Sequence, residues 1–377
     1  MESDNKLFLL DAYALIYRAY YAFIKNPRIN SKGFNTSAIL GFVNTLEEVL
    51  KKENPSHIGV AFDPSGPTFR HEAFEQYKAQ REETPEAIRL SVPIIKDIIH
   101  AYRIPILEVA GYEADDVIGT LATEAGRQGI TTYMMTPDKD YGQLVTDNVF
   151  MYRPKHTGGF EVMGIEEVKA KFDIQSPAQV IDMLGLMGDA SDNIPGCPGV
   201  GEKTAQKLIA EFGSIENLLE HTDQLKGALK TKVETNKELI TFSKFLATIK
   251  IDVPIQLEMD KLVREQADED SLRQIFEELE FRTLIDRVLK KENSAGGVTM
   301  ATGSKTATAK SAPSPLPLFP EEGGAIQGDL FANFTGNEAG EAKKSNLETL
   351  ETLNCDYQLI DTEKKRAEII QKLLTSN

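Results

Sequence analysis

The stretch Gly111-Tyr112-Glu113-Ala114-Asp115-Asp116-Val117-Ile118-Gly119 puts three carboxylates into four consecutive positions. Apolar residues follow at Val117, Ile118, Leu121 and Ala122, a spacing that predicts an amphipathic helix starting here. Acids in a first helical turn suit the helix dipole, so one or two of them need no further explanation. The third is surplus, because like charges this close repel and raise each other's pKa. A counter-ion would relieve that repulsion, and carboxylate oxygens suit a hard divalent cation. The choice between a capped helix and part of a metal site falls to the rest of the chain.

Working outward, Lys6-Leu-Phe-Leu-Leu-Asp11 reads as a buried strand ending in an acid. His57-Ile-Gly-Val-Ala-Phe-Asp63 ends the same way, as does Ile130-Thr-Thr-Tyr-Met-Met-Thr-Pro-Asp138, with Asp140 just beyond. Residues 104–109 predict a further short strand, and helical spacing recurs over 36–51 and 91–102. Alternating strands and helices predict a parallel α/β sheet, in which ligands bind beyond the carboxyl ends of the strands. A lone Asp at a strand end is usually a turn residue or a cap. Three such ends together with the acidic helix start point to one site.

A further pair, Asp189 and Asp192, lies in Gly185-Leu-Met-Gly-Asp-Ala-Ser-Asp-Asn-Ile-Pro195, three apart and so on one face of a helical turn. Taken alone it reads as a helix end running into a polar turn. With it the candidate ligands number nine: Asp11, Asp63, Glu113, Asp115, Asp116, Asp138, Asp140, Asp189 and Asp192. None of these clusters contains the His or Cys that zinc would favour. All-oxygen ligation points to Mg²⁺ or Mn²⁺, and nine acids suit two ions roughly 3.5–4 Å apart, the arrangement that hydrolyses phosphodiesters.

The totals set limits. In 377 residues, 41% are hydrophobic and 27% charged, an ordinary globular balance. No apolar run approaches the roughly 20 residues that span a bilayer, and from the polar start no signal peptide is expected. Cys197 and Cys355 fit no metal or disulfide spacing. A cytoplasmic location is expected. The net charge of −16 argues against nucleic acid at first sight, but it counts any carboxylates that hold metals; local charge is what decides.

Two basic segments are local exceptions. Phe69-Arg-His-Glu-Ala-Phe-Glu-Gln-Tyr-Lys-Ala-Gln-Arg81 follows Asp63 and interleaves Arg70, Lys78 and Arg81 with Phe69, Phe74 and Tyr77. As a helix it would align Phe74 with Lys78 and Tyr77 with Arg81, able to neutralise a phosphate and stack a base. The plainer reading is a solvated amphipathic helix; its place directly after a candidate ligand favours the former. Pro195-Gly-Cys-Pro-Gly-Val-Gly-Glu-Lys-Thr-Ala205 is a glycine turn opening a helix. Gly199 and Gly201 let the backbone approach a ligand, and Lys203 and Lys207 share one helix face. P-loop spacing is absent. A tight helix–helix turn would account for it alone, but the acidic pair upstream favours a helix–hairpin–helix clamp on phosphodiesters.

In this order the segments resemble the flap endonuclease family of 5′ nucleases. Leu-Leu-Asp11, Val-Ala-Phe-Asp63, the 69–81 segment, Gly-Tyr-Glu-Ala-Asp-Asp116, Thr-Pro-Asp-Lys-Asp140, Gly-Asp-Ala-Ser-Asp-Asn-Ile-Pro195 and Gly-Val-Gly-Glu-Lys-Thr-Ala205 carry the likeness, over residues 6–290. It implies a PIN-like three-layer α/β domain with a parallel-type sheet and a helical arch, then a helical helix–hairpin–helix region. It implies Mg²⁺-dependent removal of 5′ DNA flaps and RNA primers in replication and repair, close to the nucleoid. By the likeness Lys78 and Arg81 contact the scissile phosphate and Tyr77 stacks the unpaired terminal base. Arg18 and Arg70 are further phosphate contacts, and Gly199, Gly201, Lys203, Thr204 and Lys207 hold the duplex, with a K⁺ ion. The competing readings are a non-catalytic DNA-junction binder, which has no need of nine acids, and a PIN-type ribonuclease, which the helix–hairpin–helix turn disfavours.

The expected divisions are 1–164 for the nuclease domain, 165–291 for the helical region, and 292–345 for a Gly-, Ala-, Ser- and Pro-rich disordered linker. Residues 346–377 resemble the opening of a 3′–5′ exonuclease-like domain. Within the linker, Gln327-Gly-Asp-Leu-Phe331 resembles peptides that bind the bacterial sliding clamp, with Gln327, Leu330 and Phe331 as contacts. A monomer is expected.

Overall fold

In the computed structural model residues 5–155 and 158–289 are described. The linker, the C-terminal fragment and the clamp-like peptide lie outside them. Six strands form one sheet: β1 (Lys6–Asp11), β2 (His57–Ala61), β3 (Ile106–Leu107), β4 (Thr131–Met135), β5 (Val149–Pro154) and β6 (Phe160–Met163). Their spatial order is β3-β2-β1-β4-β5-β6, parallel except for β6 against β5. Leu7 to Leu10 are fully buried, and pleating divides them between two cores. Leu7 and Leu9 face one core, Phe8 and Leu10 the other, each worth about 1.5–3 kcal/mol of burial.

The Phe8 side is covered by α1 (Ala12–Ala22), α2 (Ser37–Lys52) and, beyond the short α3 (Phe69–Ala73), by α4 (Glu86–Ala101). The Leu7 side is covered by α5 (Ala114–Arg127), which buries Val117, Ile118, Leu121, Ala122 and Ala125. This gives the three layers expected. The chain then turns helical in α6 (Ile165–Phe172), α7 (Val180–Met187), α8 (Glu202–Phe212), α9 (Ile215–Glu220), α10 (Gly227–Thr235), α11 (Lys237–Ala247) and α12 (Met259–Leu262). These join the Leu7-side core through residues such as Leu184, Leu208 and Leu246. Finally α13 (Glu269–Glu278) crosses back and buries Leu272 and Phe276 in the Phe8-side core, beside α4. Among the described residues no helix is long and apolar enough to cross a membrane.

One expected element is absent. Residues 69–81 do not form a continuous helix: α3 ends at Ala73, and Phe74 is extended at φ −145° and ψ 99°. Further on, Lys78 takes a left-handed φ of +56°, uncommon for a residue with a side chain.

Candidate active site

Because β1 lies between β2 and β4, the carboxyl ends of these three strands are adjacent, and the winding of the sheet reverses between β1 and β4. Parallel sheets bind ligands at such a reversal. Asp11 ends β1, Asp63 follows β2, and Asp138 and Asp140 follow β4. Helix α5 starts at the same edge, where the Ala114 amide donates to Asp63 Oδ1 at 2.7 Å.

The nine acids divide into two kinds. Among the described residues Asp11, Asp63, Asp115 and Asp138 form no salt bridge within 4.0 Å, and Asp140 has a loose one, to Lys139 Nζ at 3.7 Å. Asp11 accepts hydrogen bonds from the Ala14 amide at 3.1 Å, Thr136 Oγ1 at 3.2 Å and the Tyr141 hydroxyl at 3.1 Å. Burial, and after it Asp63, push its pKa up to about 7. Asp63, Asp115, Asp138 and Asp140 are raised too, desolvation being the largest cause in each. Asp115 Oδ1 and Asp140 Oδ1 are buried with no hydrogen-bond partner. Buried carboxylate oxygens without a donor are costly unless a cation meets them, so this set fits a hard divalent ion. Among the described residues no three acidic, His or Cys side chains already form a metal cage.

The other four acids are held by the protein's own cations. Glu113 accepts from Lys78 Nζ at 2.7 Å, the Tyr77 hydroxyl at 2.9 Å and Arg70 at 3.2 Å. Asp192 meets Arg81 at 2.5 Å, the Tyr77 hydroxyl at 3.1 Å and Lys78 at 3.7 Å. Asp189 meets Lys139 Nζ at 2.6 Å. Burial alone would raise Glu113 and Asp192, but Lys78 with Arg70, and Lys78 with Arg81, hold them below the usual carboxylate range. Asp116 is fully buried and bidentate to Arg70, both bonds 2.8 Å. Its oxygens also accept from the Lys250 amide at 2.8 Å and the Glu113 amide at 3.1 Å.

Two of the expected contact residues are closed off in this conformation. Arg70 does not face a phosphate: it is 1% exposed, and Nε and Nη2 also donate to the carbonyls of Leu246 and Thr248 at 2.9 and 2.8 Å. With every donor engaged, it ties α3 and the 246–250 segment to the start of α5. Nor does Tyr77 present its ring for stacking; it is 2% exposed, with its ring edge-on to His71 at 5.2 Å. Asp116, saturated by Arg70 and two amides, is in this conformation a structural anchor rather than an open ligand.

Lys78 and Arg81 do stand over the acids. The 76–81 segment rests on the 189–194 turn: the Lys78 amide donates to Asp192 O at 3.0 Å and Arg81 Nε to Ser191 O at 3.1 Å. That turn is shaped by Gly188 and Gly196, at φ +73° and +62°, packed so closely that a Cβ on Gly196 would strike the Gly188 backbone and one on Gly188 would strike the Ile194 carbonyl oxygen. Arg18 donates to Lys155 O at 2.8 Å. In the glycine turn Gly199 has φ +76° and Gly201 caps α8, on which Lys203 and Lys207 are exposed and Thr204 half-buried. Sequence reasoning missed Thr136, Tyr141 and Lys139. Lys139 was legible as a cation between two acids in Thr-Pro-Asp-Lys-Asp; Thr136 and Tyr141 gave no signal, because only the fold brings them to Asp11.

The raised Asp11 fixes the sign of a pH effect. A carboxyl that binds its proton more tightly when folded makes the folded state less favourable as pH rises from the unfolded value near 4 to about 7. Glu113 and Asp192, depressed, act oppositely and only at lower pH. The protein in EDTA is therefore expected to lose on the order of a few kcal/mol of stability between pH 4.5 and 7.5. Added Mg²⁺ should flatten that slope. Denaturant unfolding at several pH values checks this; a stability rising over the same window would contradict it.

Residues 6–173 match the family model described as the 5′-3′ exonuclease N-terminal resolvase-like domain, and 175–270 match that of the 5′-3′ exonuclease C-terminal SAM fold. DNA polymerase I of Bacillus subtilis is 43% identical over 291 residues, covering 76% of this chain and 33% of that protein. DNA polymerase I of Mycobacterium tuberculosis is 35% identical over 347 residues, covering 92% of this chain and 37% of its own length. The chain thus spans about a third of the length of such relatives. In fold it is similar to T5 5′-exonuclease with bound zinc, at TM-score 0.56 and 22% identity over 72% of this chain and 98% of that one. The Rad2 catalytic core in complex with a DNA substrate is similar at TM-score 0.50 and 18% identity, over 73% and 87% of the two chains. The two family models follow one another along the sequence, with the acids from Asp11 to Asp140 inside the first and Asp189 and Asp192 inside the second, and the chain belongs to the 5′-3′ exonuclease family.

Proposed function

We propose that this chain is a divalent-metal-dependent nuclease that cuts DNA near the junction between a single-stranded 5′ flap and duplex, and removes nucleotides from 5′ ends at nicks and RNA primers. The observation that carries the reading is the set of five carboxylates at the sheet reversal, four without a salt bridge and Asp140 with a loose one to Lys139 at 3.7 Å, two of them with a buried oxygen that has no hydrogen-bond partner. Asp11, Asp63, Asp115, Asp138 and Asp140 would hold Mg²⁺, two ions by the number of acids, with Mn²⁺ as a substitute. Glu113, Asp189 and Asp192 lie beside them as outer acids. Bound metal of this kind supplies an activated water and Lewis-acid stabilisation of a leaving oxygen.

The remaining steps belong to the protein. Lys78 and Arg81 neutralise the phosphodiester, exchanging Glu113 and Asp192 for phosphate oxygens. Thr136 and Tyr141 hold the Asp11 carboxylate in place through their hydroxyls. Arg18, the exposed Lys203 and Lys207 and the amides after Gly199 and Gly201 offer contacts to the phosphate backbone, with Thr204 beside them; K⁺ is the expected ion at that turn. Such contacts carry no sequence readout, which suits an enzyme that recognises a junction. Similarity to DNA polymerase I over a third of its length supports the 5′ nuclease part of an enzyme of that kind. The divalent zinc bound by T5 5′-exonuclease and the DNA substrate held by the Rad2 catalytic core support the same reading.

A PIN-type ribonuclease is the alternative that substrates separate. The protein is expected to cut a 5′-flap duplex at least about tenfold faster than an unstructured RNA of equal length, a difference of ~1.4 kcal/mol in barrier. The measurement is a gel assay of both substrates under single-turnover conditions. Faster cutting of the free RNA would overturn the flap reading.

A further inference from the structure

We propose that Lys139 is a built-in counter-ion whose release accompanies metal uptake, so that it sets how tightly the DNA-free protein loads its metal. Lys139 opens the 3₁₀ turn Lys139–Leu144, between Asp138 and Asp140. Its ammonium lies 2.6 Å from Asp189 Oδ2 and 3.7 Å from Asp140 Oδ1. It therefore bridges acids from two separate segments, the end of β4 and the turn after α7.

Both contacted oxygens are ones a metal would want. Asp189 Oδ1 is already engaged by the Ser191 amide at 2.8 Å and the Ser191 hydroxyl at 2.5 Å, which leaves Oδ2 as the freer oxygen. Lys139 holds it. Asp140 Oδ1 is buried and has no hydrogen-bond partner, so the ammonium at 3.7 Å is a distant and incomplete neutraliser. A compact divalent ion would satisfy these oxygens better than an ammonium that reaches one closely and the other loosely. Taking it up requires breaking the Lys139–Asp189 pair, and that cost is subtracted from the intrinsic affinity. Once released, the side chain is free for an anion, and a nucleic-acid phosphate is the anion this protein meets. Metal loading and substrate binding would then favour each other through this lysine.

The inference rests on the divalent-metal reading, and its test keeps the two apart. Mn²⁺ binding to the EDTA-stripped full chain, without DNA, is followed by electron paramagnetic resonance of free Mn²⁺. Lys139→Met and Lys139→Gln are expected to tighten binding of at least one Mn²⁺ roughly tenfold. Lys139→Arg should bind as the wild type does. Lys171→Met is the control for a general field effect: Lys171 feels Lys139 and Asp138 electrostatically, but its recorded contact is with the Phe172 ring. It should change the affinity less than about twofold. Unchanged or weaker binding in both Lys139 variants, beside normal wild-type binding, would overturn the counter-ion role alone. Equal tightening by Lys171→Met would overturn the contact-specific claim. A wild type that binds no Mn²⁺ would overturn the metal reading and this inference with it.

Discussion

Asp115→Asn is expected to reduce flap cleavage by on the order of 10²–10³ and, in EDTA, to raise the melting temperature of the protein. Both effects have one origin. Asp115 stands in the first turn of α5 with Oδ1 buried and without a hydrogen-bond partner. Desolvation, followed by the adjacent Asp116, pushes its pKa well above the usual range. Without metal its charge is a liability to folding; with metal it is a ligand. Asn keeps the shape and removes the charge, so the metal-free fold gains while the site loses an anionic oxygen. A gain of about 1 kcal/mol would move the midpoint by ~2–4 °C in a domain of 150–250 residues. Thermal melts with and without Mg²⁺, run beside the cleavage assay, check both halves. Lower stability with full activity would return Asp115 to the role of an ordinary helix-start acid.

The largest effect on stability is expected at Arg70. Its guanidinium makes five hydrogen bonds while 1% exposed, to Asp116 twice, to Glu113, and to the carbonyls of Leu246 and Thr248. Arg70→Met leaves the fully buried Asp116 without its cation, and removing one partner of a buried pair costs about 3–5 kcal/mol. Adding Asp116→Asn should recover part of the loss, because the stranded charge is gone while one of the two amide donors keeps an acceptor. Urea unfolding of the two single variants and the double variant gives the coupling energy directly. A loss under about 1 kcal/mol for Arg70→Met would mean that the pair is not what fastens α3 to α5.

These two residues also mark where the sequence stops being readable. The parallel sheet, its acidic strand ends and the amphipathic α5 were legible because burial imposes a local period on the chain: residues 6–11, 57–61 and 131–135 are apolar runs, and Val117 to Ala125 repeat at helical spacing. Ion pairing has no such period. Arg70 sits among aromatics and cations and reads as a phosphate contact, yet its partners are 46, 176 and 178 positions away. The same holds for Lys139 and Asp189, 50 positions apart. Nine acids were visible; which of them the protein neutralises itself was not, since that depends on how the 69–81 and 189–194 segments meet in space. The break after α3 was hidden for a related reason. Residues 74–81 have a helix-compatible composition, but they follow the hydrogen bonds offered by the acidic turn, with Lys78 forced to positive φ to reach Asp192 O.

The proposed function requires that the strand-end carboxylates form a divalent-metal nuclease site and not merely an acidic surface on a DNA-binding protein. Cleavage of a 5′-labelled flap duplex by the EDTA-stripped chain, with Mg²⁺ added back in steps and DNA binding followed in the same samples, tests it most directly. Binding without cutting is expected at zero metal, then cuts near the flap junction whose rate rises and saturates with Mg²⁺. Binding that persists at every Mg²⁺ concentration with no cleavage would contradict it.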